Sequence, residues 1–154
     1  MTNFVRVMLL AWLALVSPSV GFASERLPAR LELDSGGFLG ASFKVVLIKD
    51  TDTVRYFSNP HTFVSAPGTS ERTLKIPQER WLIFRRRLEE AKVWTWKKKY
   101  EPSKPVYDGT QWSVAIEWDG KKIESHGSNA FPEREQYKLF LNAVRDLLGG
   151  ERFG

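Results

Sequence analysis

Residues 111–126 read QWSVAIEWDGKKIESH, and this stretch decides the fold of the second half of the chain. Polar and apolar side chains alternate from Gln111 to Trp118, which is the period of a strand with one buried face. Asp119-Gly120 favours a two-residue type I′ turn. The stretch therefore predicts a β-hairpin.

The register of this hairpin follows from the length of its turn. A two-residue loop places Ile116 opposite Ile123 on the inner face. Further from the turn, Ser113 lies opposite His126 on the outer face. A slip by one residue would move every apolar side chain to the wrong face, so the sequence specifies a single register.

The same patterns extend to the rest of the chain. Alternation or β-branched runs predict strands over 29–34, 43–48, 54–57 and 93–100. Residues 58–72 are expected to form a loop, with Phe63-Val64 pairing with Thr73-Leu74 in a short hairpin. The lysines at 97–99 indicate that the strand over 93–100 is an edge strand.

Two helices are expected to begin at Pro77 and Pro132, because proline is tolerated at the first helical position. Their apolar stripes at helical spacing are Trp81, Phe84, Leu88 and Ala91, and Tyr137, Phe140, Leu141, Val144, Leu147 and Leu148. The predicted fold is α+β, a two-layer sandwich in which two helices cover one face of a mostly antiparallel sheet of five to six strands.

Two motifs lie at the two ends of the predicted β-hairpin: Asp108-Gly109-Thr110-Gln111-Trp112 and Gly127-Ser128-Asn129-Ala130-Phe131-Pro132. Together they resemble a pattern in uncharacterised bacterial proteins, in which an Asp-Gly-x-x-Trp strand leads into a Gly-x-Asn-Ala-(Tyr or Phe)-Pro turn and a helix. The resemblance covers residues 94–148 and implies the fold of this half, without an activity. Glycine and asparagine tolerate left-handed backbone angles, so the pattern is interpreted as a strand-to-helix corner. The residues expected to act structurally in turns are Asp108, Gly109, Asp119, Gly120, Gly127, Asn129 and Pro132.

Residues 1–23 predict a secretory signal peptide. Arg6 precedes the apolar stretch Val7 to Val16, and Gly21-Phe22-Ala23 supplies small residues at the −3 and −1 positions of a cleavage site. We therefore expect an exported protein, periplasmic or secreted, without a stable membrane anchor after cleavage. Residues 24–150 are expected to form one domain, and residues 151–154 a frayed tail.

Composition excludes several classes of protein. The chain has 154 residues, 42% of them hydrophobic, with no cysteine and two histidines. Such a chain is long enough for one core without disulfides and lacks the thiolates of a cysteine protease or a zinc–thiolate site. The net charge of +5 is mildly basic, and Arg85-Arg86-Arg87 is partly neutralised by the following glutamates. Nucleic acid is not expected as a partner.

One polar cluster invites a catalytic interpretation. The outer face of the hairpin carries Ser113, Glu124 and His126, the residue types of a hydrolase triad. Glu124 and His126 lie two residues apart on an exposed strand, and no glycine-rich turn nearby supplies oxyanion donors. These side chains are interpreted as solvated, and neither a metal nor a cofactor is expected.

The first functional hypothesis is a monomeric, non-catalytic module of inhibitor or adaptor type. It binds a protein or glycan of the cell envelope through its sheet face or the 58–72 loop. The second is an envelope hydrolase that uses His126 with Glu124 and Ser113. The third is binding of an anionic glycan through lysines and tryptophans, which predicts affinity that falls with salt. The candidate binding residues are Trp96, Tyr100, Tyr107, Lys97 and Lys99.

Overall fold

A computed structural model describes residues 27–106 and 108–154. The predicted signal peptide at 1–23 and the candidate Tyr107 lie outside the described residues. The fold is α+β, with two helices and one open, mixed sheet of seven strands. The strands are β1 (Arg30–Gly36), β2 (Ser42–Leu47), β3 (Thr53–Asn59), β4 (Ser70–Lys75), β5 (Lys99–Tyr100), β6 (Gln111–Trp118) and β7 (Lys121–Ser128). The helices are α1 (Gln78–Glu90) and α2 (Arg134–Leu147).

The sheet has the order β4-β3-β2-β1-β6-β7-β5. All neighbouring strands are antiparallel except β5 and β7. The hairpin β6–β7 has the predicted register, with Ile116 opposite Ile123 and Ser113 opposite His126. At its turn Asp119 and Gly120 have φ of 50° and 73°, as a type I′ turn requires.

Both helices pack against the same face of the sheet. Phe84 of α1 lies 6.3 Å from Trp118 of β6, and Tyr137 of α2 lies 5.4 Å from Trp112, ring centroid to ring centroid. The predicted stripe of α1 is buried at all four positions, and that of α2 is buried at Phe140, Val144, Leu147 and Leu148. The other sheet face is not covered by a helix among the described residues.

The structure corrects two predictions of local structure. Residues 93–95 form a 3₁₀ turn, and only the edge pair Lys99–Tyr100 is a strand. Lys92 adopts a left-handed conformation with φ of 52°, which turns the chain and prevents α1 from running straight into a strand. Strand β4 pairs with β3, with Thr73 opposite Arg55, and not with Phe63-Val64. The addition of β4 brings the sheet to seven strands, where five to six were expected.

The C-terminal tail is also part of the core, which corrects the expectation that residues 151–154 fray. The side chain of Phe153 is 2% exposed, and its ring lies 6.3 Å from that of Phe43 on β2. Arg145 of α2 donates a 2.9 Å hydrogen bond from Nε to the carbonyl oxygen of Phe153. The tail therefore covers β2 and β3 next to the two helices.

Candidate functional site

One row of side chains crosses the whole sheet on its open face. The strand registers align one residue from each strand, and we call this set the polar row: Glu71, Phe57, Lys44, Asp34, Ser113, His126 and Lys99. Residues that are partners across neighbouring strands lie on the same face of a sheet. The row therefore brings together residues from positions 34 to 126 of the chain.

A trough of about 750 Å³ follows the polar row. Its floor contains Lys44, Asp34, Ser113 and His126. One wall contains Phe57 of β3 with Phe63, Val64 and Ser65 of the following loop, and the other contains Lys99, Tyr100 and Glu101. The volume lies within the roughly 300–1,000 Å³ of small-molecule sites.

The fixed charges at the floor of the trough form ion pairs. Lys44 Nζ lies 2.7 Å from Glu32 Oε1 and 3.5 Å from Asp34 Oδ1. Burial opposes the charged form of Lys44, but its hydrogen bond to Glu32 and the charge of Asp34 outweigh burial and raise its pKa. The hydrogen bond from Lys44 lowers the pKa of Glu32. Lys44 is therefore held as a cation between two carboxylates.

Asp34 differs from Glu32 in that it lines the trough and its pKa shifts in the opposite direction. Burial raises the pKa of Asp34, against the opposing charge of Lys44. The hydroxyl of Ser113 donates a 3.3 Å hydrogen bond to Asp34 Oδ2. The β1–β6 pairing thus gives the floor a carboxylate with one bound hydroxyl.

The loop wall is organised by the buried amide of Asn59. Asn59 Oδ1 accepts hydrogen bonds from the backbone N–H groups of His61 (3.0 Å) and Thr62 (3.2 Å), and Nδ2 donates to Thr69 Oγ1 at 3.1 Å. This is the Asx geometry that Asn-Pro sequences favour at the start of a turn. The Phe63 ring lies 6.2 Å from that of Phe38, so the loop also contacts the β1–β2 turn.

The opposite wall is fastened to β7. The hydroxyl of the buried residue Ser125 donates a 2.7 Å hydrogen bond to the carbonyl oxygen of Lys97, and the His126 N–H donates to Lys98 O at 3.0 Å. Lys99 Nζ pairs with Glu101 Oε1 at 2.6 Å. Successive side chains of a strand point to opposite faces. Ser125 therefore holds the wall through its bond to Lys97, while the neighbouring residue His126 lies on the floor.

The corner after β7 connects this strand to α2 and packs against Trp112. Trp112 Nε1 donates a 2.8 Å hydrogen bond to the carbonyl oxygen of Ala130, and Asn129 has φ of 52°. A Cβ atom on Gly127 would lie 2.5 Å from Trp112 Nε1, and one on Gly109 would overlap the Asn129 amide. The reason expected for Gly127 is thus corrected: the position needs glycine because of close packing, not because of a left-handed backbone.

The structure places the predicted binding residues in different environments. Tyr100 and Lys99 line the trough, whereas Lys97 is exposed outside it. Trp96 is 6% exposed and packs 5.9 Å from Trp112 and 5.3 Å from Phe140, so it does not form part of an exposed aromatic surface. The hypothesis of an anionic-glycan surface built on tryptophans loses its main aromatic residue.

The three residues of the hydrolase hypothesis are not arranged as a triad. Glu124 lies one row away from His126, and its Oε1 accepts a 2.9 Å hydrogen bond from Arg30. Ser113 donates to Asp34, and the His126 side chain makes no hydrogen bond or ion pair to another described residue. A serine nucleophile would need the imidazole as its hydrogen-bond acceptor.

Residues on β1 and β2 complete the site, and sequence reasoning did not identify them. Asp34 and Lys44 fall at the outward positions of their predicted strands, but nothing local in the sequence shows that β1 lies beside β6. The available signal was that Asp34 and Lys44, which carry opposite charges, both fall at outward positions of successive predicted strands.

Within 27–106 and 108–154, no three histidine, cysteine or carboxylate side chains converge as a metal site. No helix in this part of the chain is long and apolar enough to cross a membrane. No protein-family model and no curated protein matches the chain.

Proposed function

We propose that the protein is an exported, monomeric, non-catalytic binding module of the cell envelope, of inhibitor or adaptor type, whose ligand occupies the trough. The sequence predicts binding of a partner through one of two alternative surfaces, the sheet face or the 58–72 loop. The floor and one wall of the trough come from these two surfaces. A single site thereby accounts for both predictions.

The observation that carries the proposal is the combination of an apolar wall with a few polar groups on the floor. Phe57, Phe63 and Val64 form this wall, and Ser113 and His126 face the same space. Small-molecule sites have this composition, because apolar area supplies affinity while placed polar groups fix orientation. Beyond the trough, the open face carries ion pairs such as Arg30–Glu124 that are already satisfied.

Export is tested separately from binding. The full chain is expressed in a Gram-negative host, the cells are fractionated, and the N-terminus of the exported product is sequenced. We expect the mature protein to begin at Ser24, after the predicted cleavage site. A product that keeps residues 1–23 in the cytoplasm would refute the export proposal and leave the trough untouched.

The binding proposal is tested by filling the trough. Ser113→Phe places a large side chain on the floor, and Glu117→Phe places the same side chain on the same face of β6, outside the trough. Both variants are first checked for a wild-type unfolding transition.

The mature proteins are then used to capture partners from envelope extracts, and direct binding is measured with each purified partner. We expect Ser113→Phe to weaken binding at least tenfold and Glu117→Phe to leave it unchanged. Equal binding by both variants would refute the trough as the site.

The hydrolase hypothesis stays a second prediction, in a revised form. The polar row sets Ser113 between Asp34 and His126 on neighbouring strands, which is the observation that favours it. The test is His126→Ala assayed for ester and amide hydrolysis on purified mature protein. Hydrolysis that the substitution removes would support an enzyme, whereas no hydrolysis by the wild type would leave binding as the only proposal.

A further inference from the structure

We propose that the ligand of the trough is an uncharged carbohydrate segment of about two sugar rings, a size set by the volume of the cleft. This inference rests on the proposed function and specifies its ligand class. It differs from the anionic-glycan hypothesis in both the residues used and the charge of the sugar.

The first argument is the charge balance of the trough. Its ionised lining residues are two cations, Lys44 and Lys99, and two anions, Asp34 and Glu101, which compensate one another. An anionic sugar would have to compete with these carboxylates for the ammonium groups. A neutral ligand leaves both ion pairs intact.

The second argument is the hydrogen-bonding chemistry of the floor. The Ser113 hydroxyl combines a donor with an acceptor, the His126 imidazole presents two ring nitrogens, and Asp34 accepts. Gln111 and Ser128 extend this set at the end of the trough. Sugar hydroxyls also both donate and accept, so a carbohydrate ring satisfies groups of both kinds from one face.

The third argument is the position of the aromatic rings. Phe57 and Phe63 line one wall of the trough, whereas the Tyr100 ring packs 5.7 Å from that of Trp112 on the helix-covered face of the sheet. The C–H faces of sugar rings are apolar and pack on aromatic rings, while their hydroxyls point outward to polar groups. An aromatic wall beside a polar floor matches this division of a sugar ring.

Other ligand classes fit the trough less well. An acyl chain would cover Asp34, Ser113 and His126 without offering them hydrogen bonds, at a desolvation cost. An extended peptide gains affinity by pairing its backbone with a strand edge. The floor residues Asp34 and Ser113 belong to interior strands, whose backbones already pair on both sides. A neutral carbohydrate needs neither an edge nor a dry pocket.

The test measures binding of mature protein to three neutral trisaccharides, chitotriose, cellotriose and maltotriose, with trigalacturonate as the anionic comparison. Titration calorimetry and ligand-observed NMR are run at about 0.05 M and about 0.5 M NaCl, because screening separates charge-driven binding from neutral binding. We expect saturable binding of at least one neutral sugar, with less than a twofold change in Kd between the two salt concentrations.

Variants assign that binding to the trough. We expect Ser113→Phe to abolish it and Glu117→Phe to retain it. Loss of one hydrogen bond in His126→Ala is expected to weaken binding by about twofold to tenfold.

The outcomes separate this inference from the proposed function. Failure of all three neutral sugars, or tighter and salt-sensitive binding of trigalacturonate, would overturn the carbohydrate inference. If the sugars failed in this way but Ser113→Phe still weakened the binding of partners captured from envelope extracts, the trough would remain the proposed binding site. Neutral-sugar binding that Ser113→Phe leaves unchanged would refute both.

Discussion

The hydroxyl of Tyr56 donates a 2.7 Å hydrogen bond to the backbone carbonyl of Arg152, which fastens the C-terminal tail to strand β3. The Glu151 carboxylate pairs with Arg72 of β4 at 2.5 Å, and the Arg152 guanidinium lies 5.7 Å from the centre of the Phe43 ring. These contacts join the tail to three neighbouring strands. They also place Phe153 under the half of the sheet that contains β2 and β3.

Phe153→Ala is predicted to lower the free energy of unfolding by about 3–5 kcal/mol, because it leaves a cavity beneath Phe43. Urea denaturation followed by circular dichroism measures the change. Glu151→Gln is the matched control, since it removes an ion pair that is largely exposed and should cost less than about 1 kcal/mol. A loss below about 1 kcal/mol for Phe153→Ala would show that the tail contributes little to the core.

Gly127→Ala is predicted to destabilise the protein by about 2–4 kcal/mol, through overpacking and strain on the Trp112–Ala130 hydrogen bond. The added methyl group would lie 2.4 Å from the carbonyl oxygen of Ala130. Thermal unfolding measures the effect, and near-ultraviolet circular dichroism reports the Trp112 environment. Glu124→Ala, on the open face of the same strand, should change stability by no more than about 0.5 kcal/mol. Equal stability of the two variants would contradict the packing role of Gly127.

Ser125→Ala is predicted to loosen the β5 wall of the trough. The substitution leaves the carbonyl oxygen of Lys97 without its 2.7 Å partner, which costs about 1–2 kcal/mol. Hydrogen exchange gives a local readout, because the His126 N–H bonded to Lys98 should exchange faster when this segment detaches. Ser113→Ala is the control on the opposite face, and it should leave that amide protected.

Local sequence was sufficient where a short turn fixes the pairing. The β6–β7 hairpin was predicted residue by residue because Asp119-Gly120 selects one turn type and the inner face selects one register. The helices follow from their apolar stripes and the prolines near their starts, but neither proline is the first helical residue: Pro77 is the N-cap of α1, and Pro132 precedes Glu133, the N-cap of α2. The segment over 93–100 was predicted wrongly because alternating aromatics also occur in irregular chain, where Trp96 reaches the core without a strand.

The site could be predicted only in part, for a topological reason. Ser113 and His126 were placed together by the hairpin, but the hydrogen bond from Ser113 to Asp34 joins residues 79 positions apart. Nothing in a strand's own sequence states which distant strand lies beside it. The pairing of β1 with β6 is therefore known only from the assembled sheet. The trough depends on this pairing, because it brings Asp34 next to Ser113.

The two carboxylates that flank Lys44 are predicted to affect stability in opposite directions with pH. Burial raises the pKa of Asp34 above its ordinary 3.8, so the folded state binds this proton more tightly than the unfolded state does. Its ionisation therefore reduces stability as pH rises from 3.8 through the raised pKa. Asp34→Asn keeps an acceptor for Ser113 and avoids that ionisation. We expect the variant to be more stable than the wild type at about pH 7 and equal to it below 3.8.

Glu32→Gln is the matched test of the opposite sign. Its hydrogen bond with Lys44 lowers the pKa of Glu32 below 4.5, so the stabilising effect is present above 4.5 and is lost as pH falls through the lowered pKa. This variant should be less stable than the wild type at about pH 7 and should match it at the acid end. Denaturant midpoints for both variants, measured from about pH 3 to about pH 7, test the pair. If Asp34→Asn also lowered stability at neutral pH, attraction to Lys44 would outweigh burial at that carboxylate, and the charge balance argued for the trough floor would have to be revised.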